Sequence, residues 1–230
     1  MKPYYEHAGI TIYHGDCREI LPTLPKVDAV ITDPPFSERT HAGHDASANG
    51  YIGAGRDGSH RKTLGYSAWS ESDIKSFLGA LNTDGWIVVF TDHCLAPLWE
   101  KHQQDRYVFA PLPSFTPGRS VRLSGDGPSS WTDWIIVSRT AKQARWGTLP
   151  GGYVNRGRSD RMGGKPLGLM SALVRDYSHR GDLICDPLMG SGTTLRAAKD
   201  LERRAIGIEI EEKYCEIAAR RLEQEVLAFT

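Results

Sequence analysis

Apolar positions along this chain fall into short unbroken runs that alternate with stretches of helical repeat. Val27-Asp28-Ala29-Val30-Ile31-Thr32, Trp86-Ile87-Val88-Val89-Phe90, Leu183-Ile184-Cys185 and Ala205-Ile206-Gly207-Ile208 are such runs. Their lack of a polar face predicts strands covered on both sides, as in a parallel sheet. Ile10-Thr11-Ile12-Tyr13-His14 alternates and predicts another strand, ending at Gly15-Asp16-Cys17. Helices are predicted between them: Arg18 to Leu24; a helix capped by Ser70-Glu71-Ser72-Asp73 with Ile74, Phe77, Leu78 and Leu81 on one face; Leu95 to Gln104; one opened by Lys165-Pro166 and running through Leu169, Leu173 and Val174; Leu195 to Leu201; and Glu211 to Leu227. Strands alternating with helices predict an α/β fold with a mostly parallel sheet. Tyr107–Phe115 and Trp131–Arg139 are expected to pair as an antiparallel hairpin at the sheet edge. Residues 37–67 and 116–164 are expected as inserted loops in a single domain spanning 1–230. The first is glycine-rich, carries His41, His44 and His60, and is read as a long mobile loop.

Composition adds bounds. The apolar fraction of 40% and charged fraction of 24% are ordinary for a globular chain with a sizeable core. No apolar run approaches the roughly 20 residues that span a bilayer, and the first residues lack a signal-peptide core. Cys17, Cys94, Cys185 and Cys215 are scattered without paired spacing, which points to reduced thiols in an intracellular, cytoplasmic setting. His41 and His44 have no partner pair at ligand spacing, so no metal is expected. The net charge is zero but unevenly spread. Residues 116–165 hold nine Lys or Arg against three Asp or Glu, and residues 200–230 hold eight acids against five bases. A basic middle on a neutral chain suits a polyanion; a solvated loop gives the same count.

Two stretches carry candidate chemistry. Asp33-Pro34-Pro35-Phe36 follows a buried run, so the prolines stiffen the chain as it leaves the sheet. A carboxylate, turn carbonyls and an aromatic ring are presented together at a strand's C-terminal end, where ligands bind in open α/β sheets. The plainer reading is a proline turn with Asp as a local cap. The second stretch is Asp186-Pro187-Leu188-Met189-Gly190-Ser191-Gly192-Thr193-Thr194, then a helix, then a strand ending in Glu209. Strand, glycine turn, helix, strand and acid make a nucleotide-binding half-unit, with Glu209 placed to accept ribose hydroxyls. No Lys follows Gly192 and Gly-x-Gly-x-x-Gly is absent, which argues against a P-loop or dinucleotide fingerprint. An acid at the loop entrance suits a ligand with a ribose and a cationic group, as in S-adenosylmethionine.

These residues carry a family resemblance. Asp186-Pro187-x-x-Gly190-Ser191-Gly192-Thr193-Thr194, with Ile206-Gly207-Ile208-Glu209 and Tyr214-Cys215-x-Ile217-Ala218-x-x-Arg221-Leu222, resembles the C-terminal block of DNA amino-methyltransferases. Asp33-Pro34-Pro35-Phe36 resembles their catalytic motif, and Lys165-Pro166 the residues just before the cofactor block. With the catalytic motif first, the order is similar to the permuted β-class arrangement. The likeness is close over residues 10–36 and 163–222. Leu188 stands where the family usually has Phe, and Arg161-Met162-Gly163-Gly164 replaces His-Pro-Thr-Gln.

The resemblance implies a Rossmann-like methyltransferase fold, a three-layer sandwich, with S-adenosylmethionine as cofactor and DNA as partner. Asp33 and the Pro34 carbonyl would accept hydrogen bonds from the amino group of an extruded base, Pro35 would stiffen the turn, and Phe36 would stack on the base. Cofactor contacts are implied for Asp16, Cys17, Asp33, Lys165, Asp186, Pro187, Gly190, Ser191, Gly192, Thr193, Thr194 and Glu209. Asp16 reads equally as a helix N-cap, Lys165 as a snorkelling lysine, and Cys17 and Cys185 as packing residues. Arg39, Arg119, Arg122, Arg156 and Arg158 are the expected nucleic-acid contacts. Asp at the head of the turn is the family's usual form for N6 of adenine. The alternatives are N4 of cytosine, a methyltransferase of small molecules or proteins, and a catalytically idle DNA-binding relative. C5 methylation is disfavoured because no Cys follows a Pro. Related enzymes suggest a homodimer and a role in restriction-modification.

Overall fold

A computed structural model describes residues 2–42, 66–118, 127–141, 147–155 and 164–224. Arg119, Arg122, Arg156, Arg158, His44 and His60 lie outside the described residues. The strands are β1 (Tyr5–His7), β2 (Ile10–His14), β3 (Val27–Thr32), β4 (Thr83–Thr91), β5 (Tyr107–Val108), β6 (Leu112–Phe115), β7 (Thr132–Arg139), β8 (Tyr153–Val154), β9 (Leu183–Asp186) and β10 (Arg204–Glu209). The helices are α1 (Cys17–Ile20), continued by a 3₁₀ turn at Leu21–Thr23, α2 (Glu71–Ala80), α3 (Ala96–Lys101), α4 (Leu167–Tyr177), α5 (Thr193–Asp200) and α6 (Glu212–Glu223).

All the strands join one sheet in the order β1-β2-β10-β9-β3-β4-β7-β6-β8, with β5 beside β6 on β7. The five central strands, β2, β10, β9, β3 and β4, run parallel, so their C-terminal ends share one edge of the sheet. Both faces are covered. On one, α4, α5 and α6 supply Leu169, Leu173, Leu195, Ala198, Ala218 and Leu222 to the core. On the other, α1, α2 and α3 supply Ile20, Ile74, Phe77 and Trp99. This is the three-layer sandwich, and it explains the apolar runs. Along β4, Trp86, Val88 and Phe90 enter the first core while Ile87 and Val89 enter the second. A strand with helices on both sides has no solvent face on which to place polar residues.

The expected antiparallel pairing is present, with two differences. Tyr107–Phe115 splits into β5 and β6 at Ala110-Pro111, and the pairing on β7 slips by one residue between Val108↔Ser138 and Leu112↔Ile135. The pair also lies one strand in from the edge, because β8 adds to β6 in parallel. Residues 116–164 are therefore not all insertion: β7 is an eight-residue strand of the sheet. The helix expected over Leu95–Gln104 is shorter, ending at Lys101. Residues 38–42 are helical rather than loop. There His41 is buried and packs edge-on against Tyr66, their ring centroids 5.4 Å apart. Among the described residues no helix is long and apolar enough to cross a membrane.

Candidate active site

The parallel strands bring five acids to one edge. In sheet order these are Asp16 after β2, Glu209 at the end of β10, Asp186 at the end of β9, Asp33 after β3 and Asp92 after β4. The chain leaves β9 toward β10 and leaves β3 toward β4, so the connections diverge between β9 and β3. A crevice opens at such a switch point. Asp186 and Asp33 flank it.

The five acids differ in what surrounds them. Asp16 caps α1: its carboxylate accepts the Arg18 backbone N–H at 2.8 Å and pairs with the Arg18 guanidinium. Hydrogen bonding from that side chain holds its carboxyl below the ordinary carboxylate range. Cys17 is buried beneath the same turn, and burial pushes its thiol up to about 11. The capping and packing roles thus account for both side chains.

Asp186 is only 3% exposed. One carboxylate oxygen accepts the Thr32 hydroxyl at 2.8 Å, and the other accepts the Thr194 hydroxyl at 2.5 Å. Burial pushes its carboxyl up to about 6, against the pull of those two hydroxyls. Its side chain ties three parts of the crevice: the last residue of β3, the end of β9 and the start of α5. The loop that follows turns at Gly190 and Gly192, both left-handed, with φ of 51° and 76°. A Cβ on Gly192 would stand 2.8 Å from the Ala218 Cβ, so glycine lets α5 dock against α6. A Cβ on Gly190 would meet nothing within 4 Å, which leaves open space along that backbone. Pro187, Thr193 and Thr194 are buried, Ser191 is half-buried, and the Arg221 guanidinium donates to the Thr193 hydroxyl.

Glu209 reaches back to this loop. Its carboxylate accepts the Gly190 N–H at 3.0 Å and the Glu211 N–H at 2.8 Å. Burial raises its carboxyl while these N–H donors pull the other way. The acid and the glycine loop form one hydrogen-bonded pole, and the Glu209 carbonyl receives the Gly15 N–H from the turn after β2.

Across the switch point, Pro34 is buried and Asp33, Pro35 and Phe36 are half-buried. The turn is fixed from behind. The Phe36 carbonyl accepts the Trp69 N–H at 3.0 Å, and the Ser37 N–H donates to Asp92 at 2.9 Å. Asp92 also accepts the hydroxyls of Ser37 and Thr40 and the N–H groups of Cys94 and Leu95. Burial pushes its carboxyl up, but the hydroxyls and N–H groups outweigh that and hold it low.

Lys165, expected at the cofactor, lies at the Asp33 turn. Its ammonium donates to both Asp33 oxygens at 2.8 Å and stands 3.7 Å from an Asp133 oxygen. It also lies over the Phe36 and Phe90 rings, 5.2 Å and 4.7 Å from their centroids. Arg39 is exposed on the helical stretch after the turn. Sequence reasoning missed Thr32, Asp92 and Asp133. Asp92 was findable, because it ends an apolar run just as Asp33 does. Asp133 sits inside a strand and gives no local signal.

The model of the DNA methylase family, covering N6 and N4 methyltransferases, matches residues 134–220, from β7 through the glycine loop into α6. The type II methyltransferase M.ScaI of Streptomyces caespitosus is 23% identical over 97% of this chain and 84% of its own. A solved structure of M1.HpyAVI with SAM superposes with a TM-score of 0.66 at 24% identity, over 93% of this chain and all of that one. The cytosine-N4-specific PvuII DNA methyltransferase superposes with a TM-score of 0.71 at 15% identity, over 99% and 91%. The fold, the two poles and these matches point the same way: the DNA methylase model covers the C-terminal pole of this chain, and the relatives matched over nearly its whole length are methyltransferases.

Proposed function

We propose that this protein transfers a methyl group from S-adenosylmethionine to the exocyclic N6 of adenine in DNA. The observation that carries this is the junction of the two poles. Thr32, the last residue of the Asp33 strand, donates to Asp186 at the head of the glycine loop, so a methyl donor and an acceptor amine would meet across one crevice.

The residues fit such a cofactor. Gly190 leaves room for a ligand to pass, and the Glu209 carboxylate has lone pairs beyond the two its N–H donors use, enough for ribose hydroxyls. The clustered acids favour a ligand bearing an ammonium and a sulfonium. Asp186 acts through its field and by shaping the loop, since it is sealed from solvent and tied to the Thr32 and Thr194 hydroxyls. When bound, the cofactor supplies an electrophilic methyl on sulfur. Everything else falls to the chain. The ring amine of a base is a poor nucleophile because its lone pair is delocalised. Asp33 and the Pro34 carbonyl accept its N–H groups and favour a pyramidal nitrogen, an interaction that strengthens as the new C–N bond forms. Phe36 offers a face for the extruded ring, and Asp92 with Trp69 holds that face in place.

A DNA-facing surface is supported by topology. β6 ends at Phe115, paired with Thr132 at the start of β7 and with Val154 at the end of β8. Because β7 runs antiparallel to β4, with Thr91↔Trp134, these ends lie on the same sheet edge as Asp33. The basic segments carrying Arg119, Arg122, Arg156 and Arg158 thus leave and rejoin the fold beside the crevice, and Arg39 follows the turn itself. Phosphate contacts from them would be sequence-independent and salt-sensitive.

Transfer of a labelled methyl group, with DNA, RNA and protein offered as acceptors, tests the proposal. Label in DNA alone is the expected result. Label in RNA or protein, or none in any, would overturn it.

A further inference from the structure

We propose that Lys165 is a positioning residue for Asp33, steered by Asp133, and that this three-residue cluster sets the acid limit of methyl transfer. The inference rests on the function proposed above. Three observations carry it. The Lys165 ammonium contacts both oxygens of Asp33 at 2.8 Å, a geometry that fixes the carboxylate's rotation as well as its charge. Its side chain is only 15% exposed, so water screens the pair weakly. Asp133, with its side chain 11% exposed, stands 3.7 Å from the same ammonium, and the Phe36 and Phe90 rings lie beside it. A lysine held between two carboxylates and two rings has little freedom to reach a cofactor at the Glu209 pole.

The arrangement has a chemical purpose. Asp33 can accept hydrogen bonds from an amine only while ionised. Among the described residues, the charged and titratable groups that act on it are Lys165 before α4, Asp186 on β9 and Tyr66 on the segment before α2, with Asp133 on β7 acting through Lys165. Two of these are acids, and like charges favour the protonated form. Lys165 opposes them.

The test is the pH profile of kcat for methyl transfer to DNA in the wild-type protein, Lys165→Met, Lys165→Arg and the double variant Lys165→Met/Asp133→Asn, with calorimetric S-adenosylmethionine affinity for each. Removing the ammonium should move the acid limb up by about 1 to 3 pH units, so that activity just above the wild-type limb falls about tenfold or more. The loss should shrink at higher pH. Lys165→Arg should keep the wild-type limb. The double variant removes one cation and one anion, so the charge of the cluster is conserved. Its limb should fall between those of the wild type and Lys165→Met. If Lys165→Met does not fold, the double variant and Lys165→Arg carry the test. Cofactor affinity should change little in all of them. A uniform loss at every pH, or weakened cofactor binding with an unmoved limb, would overturn the proposal. Absence of transfer by the wild-type protein would instead overturn the function on which it rests.

Discussion

Asp186 and Glu209 show how two acids at neighbouring strand ends acquire different tasks from their surroundings. Asp186 is sealed in, with a hydroxyl on each oxygen; Glu209 is half-buried against backbone N–H groups. Burial raises the Asp186 carboxyl from 3.8 to about 6, so the folded protein binds this proton more tightly than the unfolded chain does. The sign follows directly: its contribution to stability is full below the unfolded value and is lost as pH rises through the folded one. We predict a decline on the order of 1–3 kcal/mol between about pH 4 and pH 6 from this group. Chemical denaturation should show that Asp186→Asn flattens this part of the profile; parallel profiles would contradict the assignment. Glu209→Ala should weaken S-adenosylmethionine binding by about 1–3 kcal/mol, through lost charge-assisted bonds to the ribose. Glu209→Gln, which keeps one acceptor for the Gly190 N–H, should lose less. Calorimetry giving unchanged affinity in a folded Glu209→Ala protein would remove Glu209 from the site.

At the scale of elements, the glycine loop works because α5 can start close to α6. Gly192 is left-handed and lies against Ala218. Gly192→Val should cost about 1–2 kcal/mol from the backbone conformation alone, with steric overlap in addition, and should weaken cofactor binding. A melting temperature and affinity equal to wild type would show that the loop does not depend on this contact. The central strands were legible in the sequence for the same physical reason that the loop works. A strand covered on both faces has few polar positions, so the apolar runs within Val27–Thr32 and Trp86–Phe90 announced themselves. What escaped was structure whose cause lies elsewhere in the fold. β8 is two residues long and exists only because β6 offers an unpaired edge. Residues 38–42 are helical at the head of a polar stretch with no apolar repeat, with Asp92 binding Ser37 and Thr40 from the end of a strand distant in sequence. The resemblance implies a cofactor contact for Lys165 from its place just before the glycine loop in sequence, yet its partners, Asp33 and Asp133, are set by sheet order, which spacing along the chain does not encode.

For the whole molecule, the central claim is that the two poles form one reaction crevice, with Asp33 accepting the amine that receives the methyl group. Neither pole implies this alone, since glycine loops bind many nucleotides and proline turns end many strands. Their placement on adjacent strands β9 and β3, joined through Thr32 and Asp186, makes the claim specific. The choice of adenine over cytosine rests on the aspartate at the head of the turn, because both bases present an amine with two hydrogens and either ring can stack on Phe36. One measurement addresses both parts: duplex DNA treated with the protein and S-adenosylmethionine, digested to nucleosides and analysed by mass spectrometry, beside Asp33→Ala. The prediction is N6-methyl-2′-deoxyadenosine from the wild-type protein and none from a folded Asp33→Ala that still binds cofactor. N4-methyl-2′-deoxycytidine in place of N6-methyl-2′-deoxyadenosine would contradict the adenine assignment, and near-normal methylation by Asp33→Ala would contradict the crevice itself.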